Sequence, residues 1–147
     1  MKLAKILLTS DLSAESRRAF GPVMALARES GARILLLHVV EDVPIVPYGA
    51  PLAGPVPSMD RGAMVQGAKE ALEKERAALT GLEVETLVVP STNAAETIAE
   101  VATQQGVDMI ALSSHGRTGL RRLVLGSVAE SVVRHARVPV LVFPPGA

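Results

Sequence analysis

Five short apolar runs alternate along this chain with stretches whose apolar residues recur at helical spacing, and that alternation leaves few folds open. The runs lie at 5–9 (with Ile6-Leu7-Leu8), 33–40 (Ile34-Leu35-Leu36-Leu37-His38-Val39-Val40), 83–89, 108–112 and 138–143. The first two lack polar alternation, so they read as strands buried on both faces, the pattern of a parallel sheet covered by helices. The run at 83–89 is less apolar and is predicted at a sheet edge. Between the runs, Phe20, Val23, Met24 and Ala27 mark one helix ended by Gly31, with Ser13 as its N-cap. Pro22 inside that pattern predicts a kink or a later start. Met64, Ala68, Ala71, Leu72, Glu75 and Leu79 mark a second helix, ended by Gly81. Ala94, Ile98, Val101 and Ala102 mark a third, closed by Gly106, and Pro90-Ser91-Thr92-Asn93 before it is predicted to be a turn. A fourth starts near Ser127, with Val128, Val132 and Val133 predicted inward. The prediction is an α/β fold: an open five-stranded parallel sheet with helices on both faces.

One segment departs from this texture. Residues 42–63 form a Pro/Gly-rich loop, with prolines at 44, 47, 51, 55 and 57 and glycines at 49 and 54. Such a segment forms neither a regular helix nor a central strand, and a loop of this length is typically a lid, a binding loop or a disordered excursion. Neither flank could form a core alone, so residues 1–147 are read as one domain. With aromatics at 2% the core must be aliphatic. A formal net charge of zero argues against a nucleic-acid surface, and no run is long and pure enough to cross a bilayer. Zero cysteines exclude a disulfide framework, a thiolate metal site and a Cys nucleophile. The N-terminus enters a strand without the length of a signal peptide, so a cytoplasmic location is the expectation.

Ligands of open parallel sheets bind beyond the carboxyl ends of the strands, where the winding direction reverses. If strands one and four are neighbours there, Ser10-Asp11 and 113–116 face one crevice. The second of these stretches has its own chemistry. Met109-Ile110-Ala111-Leu112 breaks into the small polar turn Ser113-Ser114-His115-Gly116, a basic loop follows, and Gly126-Ser127 opens a helix. Strand, turn and helix start are the parts of a phosphate site, because unpaired N–H groups at a helix N-terminus point at the anion. Gly116, Gly126, Ser127 and Val128 are the candidates to supply close backbone approach, a hydroxyl and N–H groups; the plainer reading is an ordinary strand-to-helix connection capped by Ser127.

These residues resemble the universal stress protein family. Its nucleotide-binding members carry Gly-x-x-Gly, nine residues, then Gly-Ser or Gly-Thr; here Ser113-Ser114-His115-Gly116, residues 117–125 and Gly126-Ser127 correspond. The start, Ile6-Leu7-Leu8-Thr9-Ser10-Asp11-Leu12-Ser13, the second strand, Leu36-Leu37-His38-Val39, and the ending Val138-Pro139-Val140-Leu141-Val142 are similar as well. Ser113 stands where the family has its first glycine, and Ser91-Thr92-Asn93 stands in a turn where members often have one. The resemblance implies a Rossmann-like sheet of strand order 3-2-1-4-5. It also implies an adenine nucleotide, ATP or else AMP or ADP, with Thr9, Ser10 and Asp11 bordering the adenosine and the backbone at Val39 meeting the adenine ring. A homodimer through the last strand, 138–143, is implied too.

Beside that resemblance stand the chemical readings. Asp11 at a strand end can accept from ribose hydroxyls or an exocyclic amine, or simply cap the first helix. Arg117, with Arg121 and Arg122, places cations near a polyanion, or in a solvated loop. His115 can contact phosphate, although a turn role is the favoured reading, and His38 reads as a core histidine with a backbone partner. Glu41-Asp42 can ligate Mg2+ beside a triphosphate. No Gly-x-x-x-x-Gly-Lys-Ser/Thr occurs, nor any nucleophile–base–orienter set, so no catalytic residue is assigned. A phosphoacceptor receiver domain fails, since Ser10-Asp11, Pro90-Ser91 and Pro144-Pro145 stand where its acids and lysine belong. The expectation is a nucleotide-responsive stress-response binding module. The alternatives are a weak ATPase or autophosphorylating protein, and a nucleotide-free dimeric scaffold favoured if Ser113 blocks the site.

Overall fold

The computed structural model describes residues 1–41, 61–114 and 125–144. Five strands form one parallel sheet: β1 (Lys5–Thr9), β2 (Arg33–Glu41), β3 (Val84–Ser91), β4 (Met109–Ser113) and β5 (Val140–Phe143). Their order is β3-β2-β1-β4-β5, as the resemblance implied. Four helices alternate with them: α1 (Phe20–Ser30), preceded by a 3-10 turn at Ser16–Ala19, α2 (Arg61–Arg76), α3 (Ala94–Gln104) and α4 (Ser127–His135).

The apolar runs explain the two-sided core. Ile6 and Leu8 of β1, with Ile34 and Leu36 of β2, pack beneath Phe20, Val23 and Ala27 of α1 and Leu72 of α2. Leu7, Leu35 and Leu37 point the other way, with Ile110 and Leu112, toward Ile98, Val101 and Ala102 of α3 and Ala129 and Val132 of α4. Alternate side chains of one strand thus serve opposite layers, which is why the strands carry no polar alternation.

Several local expectations are corrected. Of the two outcomes expected at Pro22 the later start is the one found: α1 starts at Phe20, so the proline lies in the first turn, where its missing N–H has no intrahelical partner to lose. Ser13 is not the N-cap of α1, which is Ala19; its hydroxyl accepts instead from the N–H of Ser16, at 3.2 Å, where the 3-10 turn begins. Helix α2 begins at Arg61, so residues 61–63 belong to it and not to the proline-rich loop; residues 42–60 lie outside the described ones. Strand β3 runs through Pro90 to Ser91, because an edge strand has a free side on which a missing N–H breaks no ladder. Strand β5 begins at Val140, not at 138. On α4, Val128 and Val133 are exposed by 39% and 45%, while Ala129 and Val132 are buried, so the small residue takes the inward position assigned to valine.

Candidate functional site

The winding direction reverses between β1 and β4, and there a cleft of about 690 Å3 opens at the strands' carboxyl ends. One wall is the end of β1, from Thr9 to Leu12; the opposite wall is the end of β4 with the start of α4; the floor includes His38, Val39 and Glu41 of β2. Helix α2 supplies the rim with Met64, Gly67 and Ala68. Met64, read from its spacing as a core position, is 39% exposed and turns toward this opening. Thr9, Ser10, Asp11, Val39, Ser113, Gly126, Ser127 and Val128 are thus brought to one cavity. His115, Gly116 and Arg117, and likewise Arg121, Arg122 and Asp42, lie outside the described residues.

The β1 wall is built by a tight turn. The β1–β2 ladder ends where Ser10 N–H donates to Leu37 O at 2.9 Å. Ser10 Oγ then donates to Glu75 Oε2 of α2 at 2.5 Å, accepts from Leu12 N–H at 3.0 Å, and lies 3.2 Å from Ser16 Oγ. Its carbonyl accepts from His38 Nδ1 at 2.8 Å, the backbone partner expected of that histidine. Every polar group of Ser10 is therefore engaged inside the protein. Leu12 sits at φ 68°, in the left-handed region, the one non-glycine residue to do so among the described residues. Asp11 Oδ1 accepts from both the N–H (2.9 Å) and the hydroxyl of Ser13, an Asx turn that holds the carboxylate at the cleft.

Past that turn, β2 continues alone on its β1 side. Leu37 directs its carbonyl at β1, and in a strand the residue two further on directs its backbone groups the same way. Val39 therefore presents an N–H and a C=O side by side, beyond the last rung of β1, into the cleft.

The opposite wall is closed by a pinch. Ser114 N–H donates to Phe143 O at 2.8 Å, and Ser114 O accepts from Gly126 N–H at 2.8 Å, which returns the chain to β4 where α4 begins. Gly126, the N-cap residue at φ −63° and ψ 163°, contributes no side chain, so the first N–H groups of α4 have no side-chain cap. Ser113 lies in ordinary strand geometry opposite Phe143, a backbone that serine adopts as readily as glycine. Two contributors are not evident from the sequence pattern. Glu75 shows there as a carboxylate on an otherwise apolar helical stripe, which signals a buried partner. Ser114 carries no signal of its own, yet its hydroxyl is buried against the cleft without a hydrogen-bond partner among the described residues.

Among the described residues no helix is long and apolar enough to cross a membrane, and no three ligating side chains cluster as a metal site.

Comparison with known proteins agrees with this architecture. Universal stress protein MJ0577 of Methanocaldococcus jannaschii is 30% identical over 151 residues, covering 94% of this chain and 93% of the relative. A solved structure of MJ0577 superposes with a TM-score of 0.81 at 28% identity, over 100% of this chain and 99% of that one. A universal stress protein in complex with cAMP shares the fold at 18% identity and a TM-score of 0.64, covering 99% and 100% of the two chains. So does one from Archaeoglobus fulgidus in complex with dAMP, at 19% identity and a TM-score of 0.57, covering 97% and 98%. The model of the universal stress protein family matches residues 2–144, and the chain belongs to that family.

Proposed function

We propose that the β1/β4 cleft binds an adenine nucleotide, ATP or else AMP or ADP, and that the protein is a cytoplasmic, nucleotide-responsive binding module. The observation that carries this reading is the pairing of two complementary ends in one cavity. At one end the N–H and C=O of Val39 stand side by side, matching the acceptor and amino donor on the Watson–Crick edge of adenine and mismatching guanine. At the other, uncapped N–H groups of α4, with Gly126 and Ser127, suit a phosphate. Between them Asp11 is placed to accept from ribose hydroxyls. Thr9 borders the adenosine, and Ser10 shapes the wall rather than touching the ligand. His115, Gly116 and Arg117 belong to the same phosphate end in this reading. The volume is that of a small-molecule site. The cAMP and dAMP complexes of structural neighbours support the same ligand class.

Glu41 also lines the cleft, and its carboxylate suits Mg2+ carried in on a triphosphate. The test is binding. Nucleotide released on denaturing the purified protein, and saturable ATP binding by calorimetry with GTP much weaker, are the expected results. No binding of any adenine nucleotide would leave only the dimeric scaffold.

A second copy of the chain is the proposed partner, through 138–143. What favours this is the edge position of β5, four apolar residues that are only partly covered.

A further inference from the structure

We infer that Glu75 is a positioning residue for the ligand: through the Ser10 hydroxyl it holds the β1 turn that carries Asp11, and so sets how well the cleft grips a ribose. The inference rests on the nucleotide reading and adds to it a residue outside the cleft. Glu75 stands half-buried in the last turn of α2, whereas the rim is formed further up the same helix by Met64, Gly67 and Ala68. A serine hydroxyl has one hydrogen, and where that hydrogen goes decides what its lone pairs can accept. The Ser10 hydrogen goes to Glu75 Oε2, at 2.5 Å, because a carboxylate oxygen accepts. The lone pairs are thereby turned to the N–H of Leu12, at 3.0 Å.

That bond closes the turn over Asp11. The chain before it is tied by Ser10 N–H to Leu37 O, at 2.9 Å, and the chain after it by Leu12 N–H to Ser10 Oγ. Ser13 orients the Asp11 carboxylate within the turn, and Glu75 fixes the turn itself. Leu12 at φ 68° occupies a region that residues with a side chain enter only when their surroundings impose it. Two restraints impose it here: the leucine side chain packs against the core under α1 and α2, and its N–H is held by Ser10. Only the second depends on Glu75. Removing the Glu75 acceptor lets the hydroxyl hydrogen swing to Ser16 Oγ, 3.2 Å away, which turns the lone pairs from Leu12 and relaxes its backbone. Asp11 lies between the two tied residues and shifts with the turn. Val39 and Gly126, at the adenine and phosphate ends, are held by other bonds, so the loss falls on the ribose hydroxyls.

The test compares ATP with dideoxy-ATP, which lacks both ribose hydroxyls, by calorimetric titration of wild type, Asp11→Ala, Ser10→Ala, Glu75→Ala and Glu75→Gln, each checked for a native circular-dichroism spectrum. Expected are an ATP preference of about tenfold in wild type, its loss in Asp11→Ala, and its narrowing to about threefold or less in Glu75→Ala and Ser10→Ala, with dideoxy-ATP affinity held within about twofold throughout. Glu75→Gln keeps an acceptor oxygen and is expected to retain most of the preference. Combining Ser10→Ala with Glu75→Ala is expected to add nothing further, because the two act through one bond. A Glu75→Ala protein with the full ATP preference would overturn the inference. An equal loss for both ligands would overturn it too, since that marks a role in the fold alone. Should Glu75→Ala fail to fold, Ser10→Ala decides by the same two outcomes. Wild type that binds ATP and dideoxy-ATP equally would remove the ribose contact on which the inference stands, and wild type that binds no adenine nucleotide would sink the nucleotide reading itself.

Discussion

The Ser10 hydroxyl donates to Glu75 Oε2 at 2.5 Å, tying the end of β1 to the last turn of α2 across 65 residues of sequence. Thr9 and Asp11, on either side of Ser10, line the cleft, so this bond fixes one of its walls to a helix that also forms its rim. Glu75→Ala removes the acceptor from a buried hydroxyl that also receives Leu12 N–H. A hydrogen bond to a charged group contributes about 1.5–3 kcal/mol, so a loss of that order is expected in urea unfolding. Glu75→Gln keeps an oxygen acceptor and is expected to lose less. Equal stability of Glu75→Ala and wild type would show that the bond carries no energy.

The contrast between β1 and Glu75 explains what the sequence made legible. Ile6-Leu7-Leu8 reads as a doubly buried strand because each residue has an apolar layer to face, and the turn chemistry of Ser10 and Asp11 is written in adjacent residues. Glu75 shows only that a carboxylate lies on an apolar stripe; its partner comes from a distant strand end, which periodicity cannot name. Val128 and Val133 fail for a related reason. A helical wheel assigns valines inward, but the layer over β4 and β5 has room beneath α4 for Ala129 and Val132, and Val128 turns to the cleft instead. The buried Ser114 hydroxyl, unpaired among the described residues, is a property of packing and leaves no mark in the sequence.

Gly126 tests the phosphate end of the cleft. Its φ of −63° and ψ of 163° are open to any residue, so the backbone does not demand glycine there. Gly126→Val therefore keeps the helical content seen by circular dichroism, at a cost of about 1 kcal/mol for a poorer N-cap. ATP binding is expected to be abolished, because the added side chain occupies space that the nucleotide reading gives to phosphate. Full affinity in a folded Gly126→Val protein would place the phosphates elsewhere.

Acid stability has a local component at Glu73. Its carboxylate accepts from Thr86 Oγ1 at 2.7 Å and pairs with Arg76 at 3.3 Å, and these hold its pKa below the ordinary 4.5, the Thr86 bond foremost. A carboxylate depressed in the folded state contributes stability above its unfolded pKa and loses it as pH falls through the folded value. Glu73→Gln is expected to flatten that part of the decline below pH 4.5, read as melting temperature against pH. Arg76 is half exposed, so the effect shrinks in high salt. A wild-type decline retained in full by Glu73→Gln would assign it to other carboxylates.

The free edge of β5 allows dimerisation to be separated from folding. Ile110 N–H donates to Pro139 O and Ser114 N–H to Phe143 O, so the odd-numbered residues of this strand direct their backbone groups at β4. Val140 and Val142 consequently direct theirs outward. Val142→Pro deletes one outward N–H, breaks no bond to β4, and keeps a residue compatible with an edge strand. If two copies pair through this edge, Val142→Pro gives a folded monomer by light scattering, whereas wild type sediments as a dimer. Leu141→Pro is the control, because it places the imino nitrogen on the β4 side and is expected to unfold the chain. A Val142→Pro protein that remains dimeric would move the interface away from β5.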